Sequence, residues 1–591
     1  MGAFFLYDRH AEIAGEAVAE LFSRRGFCRR QVVRAADWEL WLYPKQLLPD
    51  HTNLIQDGDA WLGAVGTLTY RGAGYADSLR VIMSDWRSGT LELSRFTGAF
   101  TLLIIERGKI TLLRDAARIY RLYADDSCRM LSSSFLSILY AHPNPLALDS
   151  DALLDNLLLG YDLAPQTCAA GVAQCDIETE TRWQARGIGF ISAAAESEGV
   201  APPHNKGEAV KRQLLLLGDY LSQIRTLIGE FGCNIGVSGG YDSRLLLSLL
   251  RRSAADFSLH THYKKALDRD WEVAQLLAGV CGVPLLSPPP LESGDVDDNI
   301  RRVFLRYDGR VYRGLSLTKF EYTAEYRALV LGANRLTLTG FGGEIYRNYN
   351  HTPPAGLRSG RWIAEYVVGS SLLEAVMDAD SRDRFRRRMA QRLNPALKIE
   401  PTAGLPVTFQ TARRYYTSLW LPGYHGLRCN VENELAFCLS PFTEQRVMSA
   451  ALTATPFIGS GGGFEAAMIR ALDWELAGIA SVYGHNFQRP SLGHRLGWWL
   501  KSHLPSGVKS IRRRRRAASG GDLQTLGKLS ETSALIRSGW ERLQSLNLPL
   551  NWELYLANND RFNHALATGC ALELMAGRLK LKPWTAHDDA G

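Results

Sequence analysis

One stretch constrains this chain more than any other: Asn234-Ile-Gly-Val-Ser-Gly-Gly-Tyr-Asp-Ser-Arg-Leu-Leu246. An apolar run, Cys233–Val237, reads as a buried strand, enters Ser238-Gly239-Gly240, and a helical pattern follows at once over Ser243–Arg252. Glycines let the backbone turn sharply and approach a ligand closely. The first N–H groups of a helix lack intrahelical partners, and the helix dipole favours an anion beside them. The hydroxyls of Ser238 and Ser243 can bond phosphate oxygens. Asp242 would be repelled by bare phosphate, and makes sense if Mg²⁺ bridges it to the phosphates. A glycine turn capped by an acid is the plainer reading of an isolated SGG. The whole strand–SGGxDS–helix pattern points instead to a phosphate loop. It lacks the lysine of the G-x-x-x-x-G-K-[ST] loop, which argues against a kinase or motor ATPase.

The surroundings agree with a parallel α/β sheet. From about residue 205, helical stretches alternate with short apolar strands: Glu208–Phe231, Cys233–Val237, Ser243–Arg252, Phe257–His262, Asp270–Cys281 and Arg335–Thr339. After about residue 360 the pattern is mostly helical. Residues 1–190 read instead as short strands, with Trp38–Tyr43, Ala99–Glu106, Lys109–Arg114 and Arg129–Ser134 the clearest, a hairpin around Arg107-Gly108, and a helix near Asp151–Leu159. The 591 residues are too many for one core, so at least two domains are expected: a β-rich α+β domain over 1–195, and an α/β domain with a helical tail over 205–591. A hydrophobic fraction of 46% with 22% charged residues argues against disorder over most of the length. A net charge of +7 suits phosphate-bearing substrates without demanding nucleic acid. The nine cysteines form no CxxC pair or zinc spacing and fit reduced thiols. With no signal-peptide pattern and no apolar run of membrane-spanning length, a cytoplasmic location is expected.

Further motifs carry a resemblance. Asp270-Trp-Glu-Val-Ala-Gln-Leu-Leu-Ala-Gly-Val-Cys-Gly282 follows the second strand, Thr339-Gly-Phe-Gly-Gly-Glu344 resembles a GxGxD pyrophosphate motif, and Ser440-Pro-Phe-Thr-Glu444, with Val431–Glu434 before it, resembles a PFLD segment expected to be structural. Together with SGGYDS these resemble the asparagine synthetase family, which includes β-lactam synthetases and lasso-peptide macrolactam synthetases. The resemblance implies an ATP-pyrophosphatase domain that cleaves ATP between the α- and β-phosphates, adenylates a carboxylate and passes it to an amine. It implies that Val237, Ser238, Gly239, Gly240, Asp242, Ser243, Gly340 and Gly342 bind ATP, and that Asp242 and Glu344 hold Mg²⁺. Glu344 stands where the family has Asp, and both are carboxylates.

The N-terminal half carries its own likeness. Leu93–Glu106, Leu112–Asp115, Ile119–Tyr123 and Leu131–Ser133 look like the core of the family's glutaminase domain, an N-terminal-nucleophile (Ntn) hydrolase fold of two stacked sheets. Its nucleophile would be a cysteine at position 2, with the α-amine as base; this chain has Gly2. Gly66–Arg71 stands where the glutamine-binding loop would lie and departs from its pattern. The resemblance thus implies a degenerate domain without glutaminase chemistry.

The family pattern is thinner further on. Its Glu-Lys-x-x-Leu-Arg segment is matched by Glu465-Ala-Ala-Met-Ile-Arg470, with Ala466 in place of the lysine. Its later Arg-x-Lys segment is matched by Ser481-Val-Tyr-Gly-His-Asn-Phe487, also without lysine, and His485 or Arg489 would have to replace that cation. Glu465, Arg470 and His485 are the expected catalytic residues; an exposed Glu465 and a packing His485 are the plainer readings. The expected function is an ATP-dependent amide-forming ligase acting on a small-molecule or peptide carboxylate and an amine, lasso-type cyclisation being one case. Amidation by free ammonia and a catalytically silent nucleotide-binding scaffold are the alternatives. The run Arg512–Arg516, just after Gly497-Trp-Trp-Leu500, reads as a solvated loop, or as a contact for a leader peptide, a partner protein or an anionic membrane surface. No nucleic-acid-reading module accompanies it.

Overall fold

All but one of the strands of the first 193 residues pair into two sheets. In a computed structural model, β1 (Ala3–Asp8), β2 (Gln31–Ala35), β3 (Trp38–Tyr43), β8 (Tyr123–Asp125), β9 (Met130–Ser132) and β11 (Val172–Gln174) form an antiparallel sheet in the order β11-β8-β9-β1-β3-β2. A second sheet, β12-β7-β6-β5-β4, is built from β4 (Leu54–Asp57), β5 (Ala60–Tyr70), β6 (Phe96–Glu106), β7 (Lys109–Asp115) and β12 (Ile188–Ala193). Phe4, Leu6, Leu40 and Leu42 of the first sheet share a buried cluster with Val65, Leu103, Ile110 and Leu112 of the second, so the sheets stack face to face. The expected hairpin is present: Glu106 pairs with Lys109 across a two-residue turn whose residues, Arg107 and Gly108, both have positive φ. Gly66–Arg71, expected to be a loop, lies largely inside β5, paired with β6 from Ala60 to Tyr70.

The structure describes residues 2–193, 201–253, 255–262, 269–289, 295–315, 317, 323–347, 367–397, 408–459, 461–489, 493, 496–497, 529–557 and 559–584. The Arg512–Arg516 run and Trp498–Leu500 lie outside them. Among the described residues, no helix is long and apolar enough to cross a membrane.

The fold is mixed α/β, with both antiparallel and parallel sheets. The parallel sheet consists of β13 (Cys233–Gly236), β14 (Ser258–His260), β15 (Leu285–Leu286), β16 (Leu336–Leu338) and β17 (Phe437–Leu439), in the order β15-β14-β13-β16-β17. Every neighbouring pair in it is parallel. The helices Lys206–Phe231, Asp242–Arg252 and Arg269–Cys281 begin within two residues of the sequence expectation. From β13 the chain builds outward on one side through β14 and β15. It then returns to lay β16 and β17 on the other. The carboxyl ends of β13 and β16 therefore diverge around a crevice, the place where open α/β sheets bind ligands. A short parallel pair, β10 (Leu146–Ala147) with β18 (Leu579–Lys580), ties the first half of the chain to its last elements.

The two halves share a core. One buried cluster joins Leu62, Tyr75 and Phe100 to Ile235, Leu338 and Phe437. Polar groups seal the join at the outer strand β17. Buried Lys45 donates to the Asn433 carbonyl, Thr67 donates to Asn433 Oδ1 (2.5 Å), and the Cys438 amide donates to Thr67 Oγ1 (3.1 Å). Asn433 Nδ2 donates to the carbonyls of Cys429 (2.9 Å) and Cys438 (3.2 Å). Nearby, Arg25 bridges Asp308 (2.8 Å) and Glu434 (2.6 Å), all three buried. Replacing Asn433 by Leu leaves several of these groups without partners and is expected to cost about 2–4 kcal/mol in denaturant unfolding; an unchanged midpoint would contradict the interlock. Burial pulls Lys45 down from 10.5 to about 7. The unfolded chain then binds more protons between pH 7 and 10.5, so Lys45 should make stability rise with pH across that window. The wild-type protein should accordingly gain on a Lys45→Met variant between pH 7 and 10, and a constant difference would contradict it.

Candidate functional site

The crevice at the ends of β13 and β16 is lined by two glycine loops in contact. Ser238–Tyr241 joins β13 to the Asp242–Arg252 helix. That helix has no side-chain cap at its start, so its first amides remain available to an anion. The loop is held from within: Ser243 Oγ accepts from the Ser238 amide (3.1 Å), lies 3.2 Å from Ser238 Oγ, and Ser238 Oγ accepts from the Gly240 amide (3.4 Å). Val237 is buried, and its amide donates to the His260 carbonyl of β14 (2.8 Å). The Gly239 amide donates to Asp270 Oδ1 (2.6 Å), which ties the Arg269–Cys281 helix to the loop.

Gly340–Gly343 follows β16 and packs directly on the first loop. A Cβ on Gly340 would lie 3.1 Å from the Asp242 carbonyl carbon and the Ser243 nitrogen, and one on Gly343 would lie 2.8 Å from Asp242 Cβ and Cγ. Gly342 has φ +87° and turns the chain into the 3₁₀ helix Gly343–Tyr346, which carries Glu344. A side chain at Gly343 would displace Asp242, and one at Gly340 would press on the start of the helix.

Three carboxylates surround one guanidinium here. Arg347 Nη2 donates to both oxygens of Asp242 (2.8 and 2.6 Å), and its Nε lies 3.7 Å from Glu465 Oε2. Glu465 is fully buried; no N–H or hydroxyl group donates to its oxygens, and its carboxyl lies within hydrogen-bonding reach of the Asp242 carboxyl, which a protonated Glu465 can bond. The plainer reading of Glu465 as an exposed helix residue is thus overturned. The Gly463–Leu472 helix turns Glu465 inward together with Phe464, Met468 and Ile469. Glu344 accepts from the Tyr416 hydroxyl (2.8 Å) and lies 3.9 Å from His425 Nε2. Burial raises the Asp242 carboxyl against the pull of Arg347, and it raises Glu465 well above the usual range with the help of Asp242. Burial acts on Glu344 too, but His425 and Arg347 outweigh it and pull that carboxyl below its usual range; because burial in turn pulls His425 to about 4, Arg347 is the charge that acts near neutral pH.

The other expected residues act at one remove. His485 Nε2 lies 3.1 Å from the Tyr241 hydroxyl, and Arg470 donates to the Phe487 carbonyl (2.7 Å). Phe487 stacks on Tyr241 at 4.1 Å, with Tyr483 stacked on that ring at 5.3 Å. Arg470 and His485 therefore support an aromatic shelf beneath the loop, while Arg489 is exposed. The sequence reading missed Arg347, Tyr416, Asp270 as a loop ligand, and His425. Tyr416 and His425 open and close a π-helical turn, Tyr416–His425, along which Tyr416, Trp420 and Tyr424 stack at 4.9 Å spacings. Such turns concentrate at functional sites.

The donor set suits a hard divalent cation: two carboxylates at the loop ends and a third, Glu465, buried beside Asp242. Among the described residues, no three Asp, Glu, His or Cys side chains are yet arranged to hold one, and Arg347 covers both oxygens of Asp242. At the position expected for a glutaminase nucleophile, Gly2 is buried, and a Cβ there would lie 2.7 Å from the Pro44 carbonyl carbon and the Tyr43 oxygen. No model of a known protein family matches this chain, and no curated protein matches it.

Gly343→Ala should drive the Asp242 carboxylate off Arg347. We expect a folded protein whose Mg²⁺-dependent affinity for a phosphate ligand falls about tenfold or more by calorimetry; wild-type affinity would contradict the packing. Gly2→Cys should lower the melting temperature and confer no glutamine hydrolysis, and a stable variant that releases ammonia from glutamine would refute the crowding at residue 2.

Proposed function

We propose that this chain is an ATP-dependent amide-forming ligase of the asparagine synthetase kind, which adenylates a substrate carboxylate and passes it to an amine. One observation carries the reading: two glycine loops meet around Asp242 where the strand order of a parallel sheet reverses. The parallel sheet supports an ATP-pyrophosphatase reading of the second half. The stacked N-terminal sheets support a degenerate Ntn-like reading of the first. Ser238, Ser243 and the opening amides of the Asp242–Arg252 helix are suited to bind the pyrophosphate oxygens, with Val237, Gly239, Gly240, Gly340 and Gly342 shaping the backbone around them. Asp242 and Glu344 would hold Mg²⁺, whose charge, once bound, offsets that of the phosphates. The Tyr416 hydroxyl donates to the Glu344 carboxylate and holds it in place. Glu465, kept protonated by burial, can retain or release a proton beside the acyl group. The crowding at Gly2 favours an amine from solution or from a peptide over one released from glutamine.

The test is a calorimetric titration with α,β-methylene ATP, which cannot be cleaved at the reacting bond, with and without Mg²⁺. The wild-type protein should bind it in a Mg²⁺-dependent manner, and Asp242→Ala, which leaves Arg347 unpaired and should be folded but less stable, should lose that binding by about a hundredfold or more, the scale of a lost charged contact in a buried site. Absence of binding by folded wild-type protein would favour the silent scaffold instead. Among binders, pyrophosphate release with ammonium as the only amine would assign the ammonia-dependent alternative.

A further inference from the structure

The sequence motifs supply no cation for the site, because both family lysines are missing. The structure supplies one from an unexpected place. Arg347 follows the 3₁₀ turn that carries Glu344, and its amide donates to the Glu344 carbonyl (3.0 Å), so its backbone is anchored to the second glycine loop. Its side chain crosses to the first loop and is 12% exposed. A single nitrogen, Nη2, serves both oxygens of Asp242, while Nε has no hydrogen-bond partner. The guanidinium carbon lies 5.5 Å from the centroid of the Tyr241 ring, whose face is a second weak cation site. The fork is thus only partly used, and a planar fork matches phosphate as well as it matches carboxylate. Beside it lies Glu465, buried and without a donor.

We propose that Arg347 is the resident cation of this site, parked on Asp242 while the site is empty, and that it exchanges from Asp242 to the phosphate of an incoming ligand when a divalent cation takes Asp242. The inference rests on the reading above only for the identity of the anion. The exchange keeps charge balanced at each stage. Asp242 is never left buried without a counter-charge, a state that costs several kcal/mol. The phosphate gains a charge-assisted fork in place of the missing lysines; in the parked position Arg347 Nε lies 3.7 Å from Glu465, a carboxyl that can accept from it without adding charge while protonated. It follows that a divalent cation and an anion should bind cooperatively, each making room for the other.

The probes are Mn²⁺ and inorganic pyrophosphate, followed by calorimetry and by the Mn²⁺ paramagnetic resonance signal. In wild-type protein, each should raise the affinity of the other by about tenfold or more, the range of a typical coupling; independent binding would overturn the proposal. In Arg347→Met, Mn²⁺ alone should bind about tenfold more tightly than in wild type, because Asp242 is vacated, while pyrophosphate should bind more weakly. A folded Arg347→Met protein with wild-type Mn²⁺ affinity would overturn it as well. If Arg347→Met does not fold, Arg347→Lys, which keeps the charge but loses the fork, replaces it: weaker coupling than in wild type is expected, and wild-type coupling would overturn the proposal. Failure of the ATP analogue to bind, with the Mn²⁺ and pyrophosphate coupling intact, would sink the nucleotide reading and leave the exchange standing.

Discussion

The candidate site depends on one close approach: the backbone of Gly340–Gly343 against the first residues of the Asp242–Arg252 helix. Two loops that belong to adjacent parallel strands are held in contact because neither Gly340 nor Gly343 carries a side chain. The contact fixes where Asp242 points and how far Arg347 must reach. It also sets the spacing of the carboxylates that a cation would bridge. The order of strands produces the crevice, and the glycines bring its walls close enough for charges on both to act on one ligand.

A second constraint acts from outside the crevice. The outer strand β17 would expose a row of unpaired groups at the edge of the parallel sheet. Here it is sealed by Lys45 and Thr67 of the first half through Asn433 and the Cys438 amide. The N-terminal sheets thus do structural work for the second half, which gives a reason to keep such a unit where residue 2 has no room for a nucleophile. Burying Lys45 and the Arg25–Asp308–Glu434 group costs desolvation, and the dense hydrogen bonding around them offsets part of it.

Much of the second half was legible in the sequence. The helices Lys206–Phe231, Asp242–Arg252 and Arg269–Cys281 are long, amphipathic and bounded by turn residues, and the strands between them are short apolar runs. The strand β17 escaped notice because three residues between a helix and a proline turn carry no periodicity. In β5 burial is almost continuous and Gly63 and Gly66 fall among the apolar residues, so the alternation that marks a half-buried strand is absent. The loop residues of the candidate site were readable because glycine and aspartate at set spacings have few other uses. Arg347 was not, since an arginine after a tyrosine has no local signature. Its role comes from contacts 105 residues away in sequence. The burial of Glu465 had a signal that went unread: it is flanked by Phe464, Ala466, Met468 and Ile469, which leave a helix at that position little polar surface to face.

The central claim is that the crevice between β13 and β16 is where a nucleotide meets this chain. A structure of the protein with α,β-methylene ATP and Mg²⁺ tests it most directly. The account predicts phosphates against Ser238–Ser243, with a metal on Asp242 and Arg347 turned away from that carboxylate. Nucleotide bound elsewhere, or bound here with Arg347 still on Asp242 and no metal beside it, would contradict it.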